Sequence, residues 1–337
     1  MKALIISRPG EVAFEQVPEP VPRDDEVLLR VKKVGLCGSD LNSYRGRNPM
    51  VTFPRVLGHE VAATVVENVP GQPHLLRGTD VTLSPYTNCG QCASCMRGRP
   101  NACEFNQTMG VQRDGALAEY IAVRPEKLYT ANLSLKELCL VEPLTVGFHA
   151  IGRGRVGAED TVVVIGCGGV GLGAVAASGF RGARTIAVDL DDRKLDTARR
   201  AGATDTINTE RESLHEGLSE LTKGHGPDVI VEAVGLPSTF RAAVEEVAFT
   251  GRVVYIGYAK DLVSYETRLF VQKELDLMGS RNALPEDFHA VIRMLERGAF
   301  PVDEAVSLTV PMSAAADAMA EWDREPSRFS KIMIDLE

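Results

Sequence analysis

Four cysteines lie within fifteen residues, at Cys89, Cys92, Cys95 and Cys103, with the spacing C-x2-C-x2-C-x7-C. One tetrahedral ion can gather four thiolates at that spacing while closing only short loops, so the cluster reads as a closed structural zinc site. It leaves no place for a substrate. Cys37 and the pair His59 and Glu60 offer a more open alternative, because mixed sulfur, nitrogen and oxygen donors can leave a metal one position for a substrate oxygen. A third element is Gly166-Cys167-Gly168-Gly169-Val170-Gly171, a G-x-G-x-x-G pattern that follows an apolar run and opens an alanine-rich stretch. Gly166 allows a tight turn, Gly168 lets the backbone approach a pyrophosphate, and Gly171 permits close helix packing. The helix N-terminus, with Gly169 and Val170 in its first turn, faces the anion.

Asp189 lies 18 residues beyond Gly171, at the end of the next apolar run, where a carboxylate can bond ribose hydroxyls. Its charge repels a 2′-phosphate, which favours NAD over NADP. Arg184 and Arg193 are the nearby basic residues that oppose this preference.

The elements that must position these groups fall into two patterns. Short β-like runs at residues 2–7, 12–17, 26–34, 61–67 and 80–84 fill the first third, and the cysteine cluster forms a polar excursion among them. From about residue 157 the rhythm becomes strand, helix, strand, helix. Six expected strands at 161–166, 185–189, 205–207, 228–234, 252–257 and 275–279 are separated mostly by amphipathic stretches at 193–201, 210–223 and 238–248. That alternation describes an α/β fold with a doubly wound parallel sheet. A helical segment at 286–297 and a β-rich tail at 330–336 are expected to return to the first domain.

The totals agree with a two-domain globule. A length of 337 residues exceeds the usual single core, and 44% hydrophobic with 25% charged residues argues against disorder or a fibrous repeat. The formal charge of −9 opposes a polyphosphate partner, so a small-molecule partner is expected rather than nucleic acid. Seven cysteines is an odd count, and their close spacing fits metal-bound thiolates in a reducing, cytoplasmic compartment better than disulfides. The apolar run at residues 3–6 is too short for a secretory signal. The uncharged stretch 161–180 has the length of a membrane span, but its six glycines and strand-to-helix pattern argue against one.

Taken together, Cys37-Gly38-Ser39-Asp40, Gly58-His59-Glu60, the four-cysteine lobe, Val141-Glu142-Pro143-Leu144 and the Gly166 to Gly171 loop resemble the zinc-containing medium-chain alcohol dehydrogenases along the whole chain. The branch it resembles is that of the sorbitol and sugar-acid dehydrogenases, including hexonate 5-dehydrogenases. Glu142 stands where ethanol-type members place a third cysteine ligand. The resemblance implies a β-rich GroES-like catalytic domain at 1–148 and 283–337, with a Rossmann domain inserted at 149–282. It implies two zinc ions per chain, with Cys37 and His59 as catalytic ligands and Glu60 or Glu142 completing the shell or holding a zinc-bound water. Ser39 would relay the substrate proton, and Asp40 would orient a ligand histidine. Asn42 occupies the position where many relatives carry the outer histidine of the relay, leaving water, cofactor hydroxyls or His149 to finish it.

The implied reaction is hydride transfer from a secondary hydroxyl of a sugar acid or polyol to NAD, in a homodimer or homotetramer. Arg113 and Arg281 are candidate clamps for a substrate carboxylate. The alternatives are a dehydrogenase of a polyol or threonine-like substrate without the carboxylate, a zinc-free reductase on the same fold, and a non-catalytic zinc-binding protein.

Overall fold

The computed structural model describes residues 1–336. Its contacts divide the chain into two compact units, Met1–Glu142 with Val302–Glu337, and Pro143–Pro301.

In the first unit, strand Val27–Leu36 is central to a seven-stranded sheet. Its antiparallel neighbours are Glu60–Val65, Tyr120–Val123 and the closing strand Ile332–Asp335. Val27, Leu29 and Val31 point inward while Arg30 is exposed, the two-residue alternation of a half-buried strand. A register shift between Val31 and Lys33 resets that alternation, and Val34, Gly35 and Leu36 are then all buried. The core beneath is aliphatic, with Leu29, Leu57, Val61, Leu83, Leu117 and Ile334 almost wholly inaccessible.

In the second unit, six parallel strands run Thr161–Ile165, Arg184–Asp189, Asp205–Asn208, Val229–Glu232, Arg252–Tyr255 and Asp276–Gly279. Numbered within this sheet, their order is 3-2-1-4-5-6. The reversal beside the first strand is the switch point where open α/β sheets bind ligands. Residues 162–165 and 229–232 are buried throughout, as expected for strands covered on both faces. The stretch 161–180 is thus a strand, a turn and the helix Gly169–Phe180. Among the described residues, no helix is long and apolar enough to cross a membrane.

Two features differ from the sequence pattern. The unit boundaries fall at 142/143 and 301/302 rather than 148/149 and 282/283, so helix Pro285–Glu296 belongs to the second unit. The reason is packing within that unit: Phe288, Val291 and Leu295 are buried, and Asp287 Oδ2 lies 2.8 Å from His149 Nδ1. The 19-residue helix Leu135–Arg153, which carries Pro143 inside it, is an element that the sequence pattern did not assign. Beyond that proline, Gly147 lies so close to helix Gly169–Phe180 that a Cβ would stand 2.1 Å from the Ala174 nitrogen.

Candidate metal and nucleotide sites

Cys37 leaves strand Val27–Leu36 and caps helix Gly38–Tyr44 in an extended conformation. Its amide donates to Asp40 Oδ2 at 2.9 Å, so a buried carboxylate fixes the turn that presents the thiol. His59 and Glu60 enter the neighbouring strand, where Glu60 lies opposite Gly35. Strand pairing therefore brings Cys37, His59 and Glu60 together, with one donor atom from each within 4.8 Å of the others.

The surroundings fit a divalent ion. Ser39 Oγ, Asp40 Oδ1, His59 Nδ1 and Glu60 Oε2 are buried and have no hydrogen-bond partner. Leaving such atoms unsatisfied costs about 1–3 kcal/mol each, an arrangement that a bound cation and a polar ligand would relieve. Asp40 Oδ1 lies 4.0 Å from His59 Nδ1, beyond hydrogen-bonding reach, so the expected bond between them is not formed.

Electrostatically the cluster is tightly linked. Burial opposes a charged His59, but Asp40, the Cys37 sulfur and Glu142 outweigh it and hold the imidazole pKa well above its usual value. Burial and the charge of Glu60 push Glu142 up to about 7, despite His59, Tyr86 and Lys331 pulling the other way. Glu142 Oε1 accepts the buried Tyr86 hydroxyl. Lys331 remains cationic against its own burial because Glu60, Cys37 and Glu142 raise its pKa.

The four lobe cysteines also converge, with their thiols within 4.8 Å of one another. The Cys92 amide points at Cys89 Sγ (3.3 Å) and the Cys89 amide at Cys103 Sγ (3.4 Å), as donors do around thiolates. The Ser94 hydroxyl and the amides of Cys95 and Glu104 pull the Cys92 thiol down to about 5. Burial and the neighbouring thiols push Cys95 up to about 11. Four converging thiols suit a metal that binds them all as thiolates.

In the second unit each loop glycine has a distinct surrounding. Gly166 adopts φ +95°, where side chains are strained. A Cβ on Gly171 would stand 1.7 Å from the Gly166 carbonyl oxygen, so helix and strand meet with no room for a methyl. Gly168, the N-cap of helix Gly169–Phe180, faces open space with nothing within 4 Å of its Cβ direction. That is the arrangement a pyrophosphate needs. Asp189 ends its strand, accepts the Cys167 amide at 2.7 Å through Oδ2, and takes the amides of Leu190 and Asp191 through Oδ1. Arg193 pairs with Asp191 at 2.9 Å and Arg184 with Asp205 at 2.9 Å.

Two family models match the sequence, "Alcohol dehydrogenase GroES-like domain" over residues 23–132 and "Zinc-binding dehydrogenase" over residues 169–297. The L-galactonate-5-dehydrogenase of Escherichia coli K12 is 30% identical, over 94% of each chain. The chain belongs to the zinc-binding dehydrogenase family. A sorbitol dehydrogenase of Halalkalibacterium halodurans is 31% identical over 96% of this chain and 94% of its own. Among solved structures, an alcohol dehydrogenase from E. coli CFT073 complexed with cofactor NADH superposes with a TM-score of 0.92 at 29% identity, covering 100% of this chain and 99% of its own.

Not every expected site residue of this dehydrogenase joins a site. The Arg113 guanidinium donates to the carbonyls of Gln107 (3.3 Å) and Pro85 (3.2 Å), which ties its Nε and Nη2 to the loop flanking the cysteine lobe. Arg281 follows the last strand of the parallel sheet and is half-buried. His149, a candidate relay group, pairs with Asp287 in the second unit. Three residues at the metal cluster escaped sequence reasoning: Gly35, Tyr86 and Lys331. Only the exact strand pairing exposes them, since Lys331 contacts Glu60 across 271 residues of sequence.

Proposed function

We propose that this dehydrogenase oxidises a secondary hydroxyl of a sugar acid or polyol, with NAD as hydride acceptor. The observation that carries the reading is the Cys37, His59 and Glu60 cluster with its unpartnered buried atoms. These three residues would hold the catalytic zinc, and Cys89, Cys92, Cys95 and Cys103 a structural one. Geometry favours Glu60 as the direct glutamate ligand, because its carboxylate joins Cys37 and His59 in one cluster of donor atoms and that of Glu142 does not. When bound, zinc supplies a Lewis acid for the substrate oxygen and the nicotinamide supplies the hydride acceptor.

The chain's own residues do the rest. Ser39 Oγ, unpartnered and buried, is available to hold the proton of the substrate hydroxyl. Asn42, on the same helix, cannot titrate, so the proton passes onward through water or cofactor hydroxyls. Gly168 leaves room for the pyrophosphate. Asp189 already accepts three amides, and a carboxylate's roughly four lone-pair sites leave capacity for a ribose hydroxyl. Asp189 disfavours a 2′-phosphate by charge, and the basic residues Arg193 and Arg211 beside it are paired to Asp191 and Asp192.

For the substrate, the L-galactonate-5-dehydrogenase relative supports a sugar acid and the sorbitol dehydrogenase relative a polyol. We keep Arg281 as the proposed carboxylate partner. The open edge of strand Asp276–Gly279 supports self-association into a dimer or tetramer. The test is NADH formation across matched panels of polyols and sugar acids, with wild type and Arg281→Ala, before and after exhaustive chelation. Activity on both panels is expected, with a selective loss on sugar acids in Arg281→Ala. Turnover that survives complete zinc removal would refute the reading.

A further inference from the structure

Lys331 immediately precedes strand Ile332–Asp335, which pairs with one side of Val27–Leu36 through Ile332 and Leu36. Glu60 opens the strand on the other side, opposite Gly35. Lysine and glutamate thus stand two strand spacings apart, about 9–10 Å between backbones, and must meet across the middle strand. Gly35 leaves room for the Glu60 carboxylate over the middle strand: a Cβ there would stand 2.0 Å from Glu60 Oε2 and 3.0 Å from Glu60 Cβ. Lys331 Nζ donates to the carboxylate so placed, to Glu60 Oε1 at 2.5 Å, and to the Leu36 carbonyl at 3.2 Å. Only 7% of the lysine side chain and 1% of the glutamate side chain is accessible. The other carboxylate oxygen, Oε2, has no partner, although its carboxylate lies in the cluster with Cys37 and His59.

One oxygen is therefore tied and the other is free. We propose that Lys331 is a positioning residue that occupies Oε1, so that Glu60 offers the catalytic metal a single oxygen and cannot close over it with both. A glutamate that chelated through both oxygens would take a further coordination position, the one a substrate oxygen needs. Removing the ammonium leaves the metal as the remaining cation for Oε1, and the carboxylate turns to chelate it. The inference rests on the reading of Cys37, His59 and Glu60 as the catalytic metal site.

The test uses the full chain with zinc kept in the cysteine lobe and Co²⁺ placed in the second site, in wild type, Lys331→Met and Lys331→Arg. Visible absorption reports the coordination number, and competition with a chelator reports affinity. Wild type and Lys331→Arg are expected to show the intense bands of low coordination. Lys331→Met is expected to show weaker bands and to hold cobalt about tenfold more tightly, at the low end of the changes typical for residues behind metal ligands. A merely structural lysine would instead give weaker cobalt binding with unchanged bands, and that result overturns the proposal. Should Lys331→Met fail to fold, X-ray absorption at the cobalt edge of the wild type answers the same question. A single carboxylate oxygen upholds the proposal, and a chelating carboxylate overturns it. If wild type takes up no cobalt beside the zinc-filled lobe, the metal-site reading fails, and the role of Lys331 with it.

Discussion

Gly168 and Gly171 sit three residues apart in one loop, yet the structure assigns them opposite sensitivities. At Gly168 (φ −70°, ψ −176°) an alanine is conformationally allowed and its methyl meets no protein atom within 4 Å. Alanine is a poorer N-cap than glycine, but it narrows the unfolded ensemble by about 0.4–1 kcal/mol, and the two effects largely cancel. The melting temperature of Gly168→Ala should therefore move by less than about 2 °C. The methyl does, however, enter the space proposed for the pyrophosphate. Losing one amide bond to a charged group costs about 1.5–3 kcal/mol, so NAD affinity should fall about 10- to 150-fold. Gly171→Ala should behave differently, because its methyl would lie 1.7 Å from the Gly166 carbonyl oxygen and helix and strand must separate by more than about 1 Å. Overpacking of that kind costs about 1–3 kcal/mol, so stability and NAD affinity should fall together. Differential scanning calorimetry and titration of NADH fluorescence measure the two quantities on the same samples. Unchanged NAD affinity in a stable Gly168→Ala protein would refute the placement of the nucleotide.

Two further outcomes follow from the same geometry. Lys273 Nζ donates to the carbonyls of Glu245 (2.6 Å) and Val247 (2.7 Å) at the end of helix Pro237–Glu246, so Lys273→Met should lower unfolding free energy in denaturant by about 1–2 kcal/mol while kcat stays unchanged. Cys103 is fully buried among the lobe thiols, so Cys103→Ser should lower elemental zinc from about two ions per chain to about one and reduce the melting temperature, while the folded fraction keeps its turnover.

The parts of this dehydrogenase that sequence reasoning reached are those whose determinants are local. The cysteine lobe is one, because its four ligands span fifteen residues and their spacing alone limits the partners available. The strand-loop-helix around Gly166 is another, since an apolar run, three glycines and a following helix are contiguous. Asp189 belongs with it, as the end of the next strand in a regular α/β alternation. Cys37, His59 and Glu60 were candidates by donor type, but their meeting was not legible locally, because His59 lies 22 positions after Cys37 and no periodicity requires them to meet.

The limits of the second contact unit were not legible for a related reason. Composition hardly changes at Glu142 or Pro301, and only the burial of Phe288 and its neighbours, with the His149 and Asp287 contact, assigns helix Pro285–Glu296.

By itself, then, the sequence determined the donor types, the closed cysteine site, the nucleotide loop and the alternation that builds the parallel sheet, since each is written in neighbouring residues. Tertiary structure alone decided that Gly35 is small because Glu60 needs the space, that Tyr86 holds Glu142, and that Lys331 reaches Glu60 from the far end of the chain. Those contacts depend on which strands pair and in what register, and register joins residues hundreds of positions apart without leaving a pattern between them.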